Sequence, residues 1–412
     1  MNMINVSPGT WLSSGEALAL LGIRPQTLYA NVSRKRIRTK ADPDDSRRSL
    51  YHAGDVRRLA AHGRGRPSRE RIAAESVSWG TPVLASSIST VAHGRLWYRG
   101  EDAVRLAERE SLEGVAGLLW QRAAPIPVQS HVCRNPRRCA VLGALRTVYG
   151  LLASRAGHDM PMYGRPVPLL QAEAAELFVT LSDAMIVAIE HATAVRQRRS
   201  SRQLPRREQI AGHVHDRLAC AWGCPEAADL IRRALVLLAD HELNTSTFAT
   251  RVAASTGAAL SASILAGFAT LSGPRHGTAA LALQGLVDTA LRAGAKTAIK
   301  HSLECGHPIP AFGHPLYSGG DIRAVALLKR FEPPPVFEEL RINAEHLVGE
   351  LPNIDFALAA FTSSAGLPRD APFVLFALAR SVGWIAHALE QSQNPNLIRP
   401  RARYVGPPVL AP

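Results

Sequence analysis

Apolar residues recur at helical spacing through long Ala- and Leu-rich stretches of this chain, among them residues 172–194, 227–240 and 279–293. A shorter version opens it. Within residues 11–23, Ala17, Leu18, Leu20 and Leu21 make one apolar face, Ser13 or Ser14 can cap the helix start, and Gly22 ends it in a tight turn. The pattern restarts at Arg24 and runs to Val32, with Pro25 suited to the first helical position. Two short helices around a glycine turn predict a helix-turn-helix. After a basic stretch (residues 33–38) and a loop rich in Asp and Arg, Ser49-Leu50-Tyr51 predicts a small β-wing, and residues 55–59 begin a third helix. Strand patterns are otherwise sparse. Residues 88–91 and 96–98, on either side of His93-Gly94-Arg95, predict one hairpin. The reading is a mainly α chain with a minor β element.

At 412 residues the chain is long enough for two or three domains. With 46% hydrophobic and 20% charged residues, a soluble globular protein is expected. No uninterrupted apolar run approaches the roughly 18 residues of a membrane span, and residues 1–14 lack the pattern of a signal peptide. Five cysteines, Cys133, Cys139, Cys220, Cys224 and Cys305, are few and odd in number, which fits a reducing cytoplasm. Cys220 and Cys224 have no second pair at finger spacing, so they read as buried thiols and no metal site is expected.

Charge is uneven along the chain. The formal net charge is +14, and residues 1–71 hold fourteen Lys/Arg against six Asp/Glu, a net +8. A short basic unit is the footprint of a polyanion binder. Gly63-Arg64-Gly65-Arg66-Pro67-Ser68 reads as a flexible linker, giving a domain at 1–62, a linker at 63–80 and a larger domain at 81–412. A second basic run, residues 196–207, reads as a solvated connection between helices. The first unit resembles the winged helix-turn-helix of excisionase-like and MerR-like proteins. That resemblance implies that Gln26, Thr27, Tyr29 and Asn31 face the major groove of DNA, while Arg34, Lys35 and Arg38 contact phosphate.

The last third holds the candidate chemistry: Gly273-Pro274-Arg275-His276-Gly277, Phe312-Gly313-His314 and Pro352-Asn353-Ile354-Asp355, with Arg323, Arg380 and Arg399. Taken singly, a His after Gly or an Asp after Asn-Ile is more often structural. Together they suit the condensation of a carbon acid with a dianionic keto acid. A carboxylate takes a proton from carbon, two imidazoles handle oxygens that gain charge, and planar guanidiniums hold carboxylates bidentately. His215, His301, His307, His346 and His387 have no such setting and read as surface or packing residues.

From about Val83 onward the chain resembles the citrate synthase family. The motifs that carry this, in order, are Gly94-Arg95-Leu96-Trp97-Tyr98-Arg99-Gly100, Asp240-His241-Glu242-Leu243-Asn244 with Ser246-Thr247-Phe248, the three motifs above, Ala379-Arg380 with Trp384-Ile385-Ala386-His387, and Ile398-Arg399-Pro400-Arg401. The resemblance implies a two-subdomain all-helical fold, with a small subdomain at roughly 278–366 that closes over the larger one. It implies Asp355 as general base, His276 as hydrogen-bond donor to a thioester oxygen with its tautomer fixed by a backbone partner, and His314 as the group that polarises and protonates the ketone of oxaloacetate. His241, Arg323, Arg380 and Arg399 would bind oxaloacetate. Arg399 would come from the other subunit of a homodimer. No cofactor is implied beyond the CoA thioester that serves as substrate.

The match departs from the family around the CoA phosphates. Arg275 precedes His276 where the family usually has Leu, Pro315 to Gly320 follow His314 without the usual cations, and Val348-Gly349-Glu350 stands where a lysine is often found. Arg275, Arg165 and the 196–207 run are alternative phosphate contacts. Three functions follow: a citrate synthase acting on acetyl-CoA and oxaloacetate; a DNA-binding regulator whose synthase-like domain senses a carboxylate or acyl-CoA; and a 2-methylcitrate synthase using propionyl-CoA. The last differs from the first by one methyl group, worth about 1–3 kcal/mol in a pocket.

Overall fold

The computed structural model describes residues 11–34, 36–43, 45, 48–62, 84–126, 143–199, 212–273, 276–277, 279–317, 319–402 and 404–407. Cys133, Cys139, Lys35, Arg275, the expected linker and residues 200–207 lie outside them. The N-terminal elements are β1 (Trp11–Leu12), α1 (Ser14–Leu21), α2 (Pro25–Ser33), β2 (Thr39–Ala41), β3 (Ser49–His52) and α3 (Ala53–His62). There follow β4 (Ser89–Ala92), β5 (Arg95–Tyr98), β6 (Glu101–Asp102), α4 (Ala103–Arg109), α5 (Leu112–Trp120), α6 (Gly143–Ala156), α7 (Val167–Arg199) and α8 (Val214–Trp222). After a short 3-10 turn come α9 (Ala228–Leu238), α10 (Thr245–Ser255), α11 (Leu260–Leu271), α12 (Ala279–Ala293) and α13 (Ala295–Glu304). The chain ends with α14 (Ile322–Leu328), α15 (Pro335–Val348), α16 (Ile354–Ser364) and α17 (Ala371–Ser392).

These elements form two compact units. One joins Met1–Ala85 to Ala279–Ser364, and the other joins Ser86–Thr278 to Ala365–Pro412. The N-terminal elements therefore share a unit with α12 to α16.

In the first unit, local chemistry sets the helix ends. The Ser13 hydroxyl accepts from the Glu16 N–H while the Glu16 carboxylate accepts from Ser13 N–H at 2.8 Å, a reciprocal capping box. Gly22 closes α1 in the left-handed region (φ 62°), and Pro25 opens α2. Strand β3 lies between β1 and β2 and is antiparallel to both. The hydrophobic pattern missed β1, which has only two residues. Leu12, Ala17, Leu28, Ile37, Tyr51 and Val56 fill this small core. A second core, including Leu283, Ile299, Phe337, Leu340 and Phe356, lies among α12, α13, α15 and α16.

In the second unit the expected hairpin turns at His93-Gly94, and β6 extends it to three strands in the order β4-β5-β6. Helix α17 is the axis of this unit, packed by α5, α7, α9, α10 and α11. Among the described residues it is the one helix long and apolar enough to cross a membrane. Yet 94% of that apolar window is buried within the fold, as expected for a core helix.

Candidate active site

In the first unit, two short extended segments run side by side. Phe312 and Pro352 form an antiparallel bridge, Gly313 N–H donates to Leu351 O at 2.8 Å, and Asn353 N–H donates to Ala311 O at 3.0 Å. One segment leads into His314 and the other into Asp355. Asn353 joins them further, donating through Nδ2 to Gly313 O at 3.1 Å and accepting at Oδ1 from Asp355 N–H at 3.0 Å. Asp355 thus sits in the first turn of α16, where the helix end favours negative charge.

Asp321 ties in the arginine. It accepts from Arg323 Nε at 2.9 Å and Nη2 at 2.8 Å, and its Oδ2 also accepts from Ile354 N–H at 3.0 Å. Both side chains are buried. Burial opposes the Asp321 charge, but the Arg323 guanidinium outweighs it and holds the carboxyl below its usual range. His314 accepts at Nδ1 from Leu316 N–H at 3.2 Å, which leaves its proton on Nε2. Burial, with Arg323 adding to it, pushes the His314 pKa down to about 4. The ring is therefore a neutral imidazole with its proton on Nε2.

In the second unit, His276 lies in the turn after α11, half-buried, with Nε2 2.9 Å from Ser246 Oγ. Among the described residues the partner seen for this ring is a side-chain hydroxyl, and no backbone partner is seen among them. Ser246 accepts from Trp384 Nε1 at 3.2 Å and lies 2.8 Å from Asn244 Oδ1, the cap of α10. Burial, then the charge of Arg380, lowers the His276 pKa to about 4. Arg380 is buried on α17, donating through Nε to Leu238 O at 3.0 Å and lying over the Phe376 ring at 4.7 Å. His241 is buried in the turn between α9 and α10. Arg399 is exposed on the extended segment after α17.

His387, read from sequence as a packing residue, is fully buried with Nε2 3.2 Å from Asp240 Oδ2. Asp240 is also fully buried and accepts from the Ser89 hydroxyl. Burial raises its pKa, but His387, Arg380 and Ser89 together hold it low. The pair anchors the residue next to His241. From sequence, Ser246, Asp321 and Asp240 carry no role of their own, and His387 reads as a packing residue. The signals were faint: Asn244 and Asp321 occupy helix-cap positions, and Asp321 stands two residues before Arg323.

On α2, Gln26, Thr27 and Tyr29 are exposed, as is Arg34 after it. Asn31 is not on that face. It is buried, three positions after buried Leu28 on the inward side of α2, and donates to Thr27 O at 2.8 Å. Arg38, expected to contact phosphate, is engaged within the protein by Asp55, and its Nη1 donates to Gly349 O at 2.9 Å. Arg165, an alternative phosphate contact, pairs with Glu173 at 2.6 Å. A cavity of about 840 Å³ in the second unit, lined in part by Arg99, Glu113, Arg122 and His213, contains none of the predicted site residues.

Comparison with known proteins falls on the same chemistry. The family described as "Citrate synthase, C-terminal domain" matches residues 77–401, leaving the N-terminal elements outside the match. Citrate synthase 2 of Bacillus subtilis is 31% identical over 368 residues, covering 80% of this chain and 95% of that protein. 2-Methylcitrate synthase 1 of Corynebacterium glutamicum is 28% identical over 349 residues, covering 76% and 89%. The citrate synthase of Thermoplasma acidophilum, solved with carboxymethyl coenzyme A and oxaloacetate, superposes with a TM-score of 0.65 at 23% identity, covering 80% of this chain and 95% of that one, a likeness of fold.

Proposed function

Because this chain belongs to the citrate synthase family, we propose that it condenses acetyl-CoA with oxaloacetate to give citrate and CoA. Asp355 takes a proton from the thioester methyl group. His276, neutral, donates a hydrogen bond to the thioester oxygen as negative charge develops there, commonly the largest catalytic contribution. The enolate carbon attacks the ketone carbon of oxaloacetate, and His314 donates its Nε2 proton to the ketone oxygen, which becomes the hydroxyl of the product. Water then cleaves the citryl thioester, leaving a carboxylate and the free CoA thiol. His241, Arg323 and Arg380 hold the substrate carboxylates, and Arg399 reaches the site of a partner subunit in a homodimer.

The observation that carries this reading is the state of the two histidines. Both are held neutral with pKa values of about 4, so each can donate a hydrogen bond without being a cation. Release of CoA thiol from acetyl-CoA and oxaloacetate tests it, with turnover abolished in Asp355→Ala. No thiol release by a protein that still binds oxaloacetate overturns it.

Two further readings have observations of their own. Likeness to 2-methylcitrate synthase 1 favours propionyl-CoA as the acyl donor, tested by kcat/KM for the two thioesters side by side. The exposed Gln26, Thr27, Tyr29 and Arg34 favour DNA binding by the N-terminal elements. Such binding weakens steeply with salt as counterions are released, and salt-independent binding counts against it.

A further inference from the structure

The N-terminal elements meet the catalytic segments of their own unit at one point. The Trp11 indole lies against Gly349, where an added Cβ would sit 2.5 Å from Cζ2, and Gly349 itself is left-handed (φ 70°). The His52 ring packs edge-on to Trp11, with centroids 5.3 Å apart. Arg38 spans the contact. Its backbone N–H and Nε donate to Asp55 Oδ2 at 3.0 and 2.9 Å, its Nη1 donates to Gly349 O at 2.9 Å, and its Nη2 lies 3.5 Å from Glu350 Oε1. His52 Nε2 is also 3.5 Å from that oxygen. Burial works against the Arg38 charge, but Asp55 and Glu350 together favour it.

The second oxygen of Glu350 faces the other way. It lies against Gly313, closer than any Cβ at that position would allow, and Gly313 is left-handed (φ 72°). Glu350 is therefore wedged between the N-terminal Arg38 and the backbone of the residue before His314. It also begins the extended segment that runs to Asn353 and the first turn of Asp355.

We propose that Glu350 is a positioning residue for both His314 and Asp355, and that the N-terminal elements set its position through Arg38 and His52. This rests on the reading that those two residues act in the condensation. A displacement of Glu350 moves the Gly313 backbone by direct contact. It moves the Asp355 turn through Leu351 and Asn353, whose hydrogen bonds to Gly313 and Ala311 lock the two segments together. A misplacement of about 1 Å is enough to cost on the order of 100-fold in rate.

The test compares Glu350→Ala, Arg38→Met and the double variant by steady-state kinetics and by amide exchange at Gly313 and Asn353. Each single variant should lower kcat about 10- to 100-fold while KM for both substrates changes little. The double variant should be no worse than the more severe single, since both break one linkage. Exchange at the Gly313 and Asn353 N–H groups should quicken in both. Should Arg38→Met unfold the N-terminal elements, Glu350→Ala still decides, because it leaves the Arg38–Asp55 pair in place. Wild-type kcat, or losses that simply add, overturns the proposal. If the unaltered protein releases no thiol, the condensation reading fails on its own, and unchanged exchange then overturns the linkage.

Discussion

Ser246 Oγ lies 2.9 Å from Nε2 of His276, and one hydroxyl proton decides which ring nitrogen is left to face a substrate. Trp384 Nε1 can only donate to that oxygen, so the serine hydrogen goes either to His276 or to Asn244. In the structure it points to Asn244 Oδ1, which can only accept, so Ser246 accepts the Nε2 proton; turned to His276 instead, it leaves the ring proton on Nδ1, the state the proposed donor role requires. Ser246→Ala should therefore lower kcat by about 10- to 100-fold, approaching the loss of an oxyanion donor. It should also leave the Trp384 N–H without its acceptor, costing about 1–3 kcal/mol of stability. Steady-state kinetics and denaturant titration check both, and a wild-type kcat would sink the assignment.

The low pKa values of His276 and His314 make a statement about pH. Both lie at about 4, below the value near 6.5 that the unfolded chain has. Between those values the unfolded chain binds more protons than the folded one. The share of stability that these two rings contribute should thus be complete above about pH 6.5, fall as pH drops through the window from about 6.5 to about 4, and change no further below it. In NMR spectra the ring signals of the two histidines should stay put between about pH 8 and 5. A midpoint near 6.5 for either would contradict the neutral-donor mechanism.

Asp321→Asn should damage binding and stability together. It removes the charge opposite a buried Arg323, for which a loss of about 3–5 kcal/mol is usual. It also disturbs the acceptor of Ile354 N–H at the start of α16. Calorimetric titration should give weaker oxaloacetate binding. A stability unchanged in chemical denaturation would mean that the pair does not hold this turn.

The role of Arg399 can be read by mixing subunits. If it acts in the partner's site, Arg399→Ala and Asp355→Ala are each inactive alone, but mixed dimers hold one site free of both changes. After subunit exchange about a quarter of wild-type activity should return, from half the dimers having one working site of two. No recovery, with exchange verified, would place Arg399 in its own subunit's chemistry.

Much of the fold was legible because its signals are local. The Ser13 cap, the Gly22 turn, Pro25 and the His93-Gly94 hairpin depend on neighbours a few residues away. Strand β1 was not legible, since Trp11 and Leu12 gain their pairing from His52 and Tyr51 some forty residues on. Arg38 was misread for the same reason: its partner Gly349 is 311 residues distant. At the site, His276 and His314 stand out beside glycines in turns, whereas Asp321 and His387 act through other residues. Their partnerships, such as His387 with Asp240, 147 positions apart, exist only once the chain is packed.

Helix α17 carries Arg380, Trp384, His387 and Gln391 along one stripe, and each meets a different partner: Leu238 O, Ser246, Asp240 and Arg251. Such an arrangement behaves like a key whose teeth are cut on one blade. Inserting a single residue after Arg380 would turn everything beyond it by about 100°, withdrawing three teeth at once while altering none of them. A change of length inside this stripe is thus more damaging than the replacement of any one of its side chains.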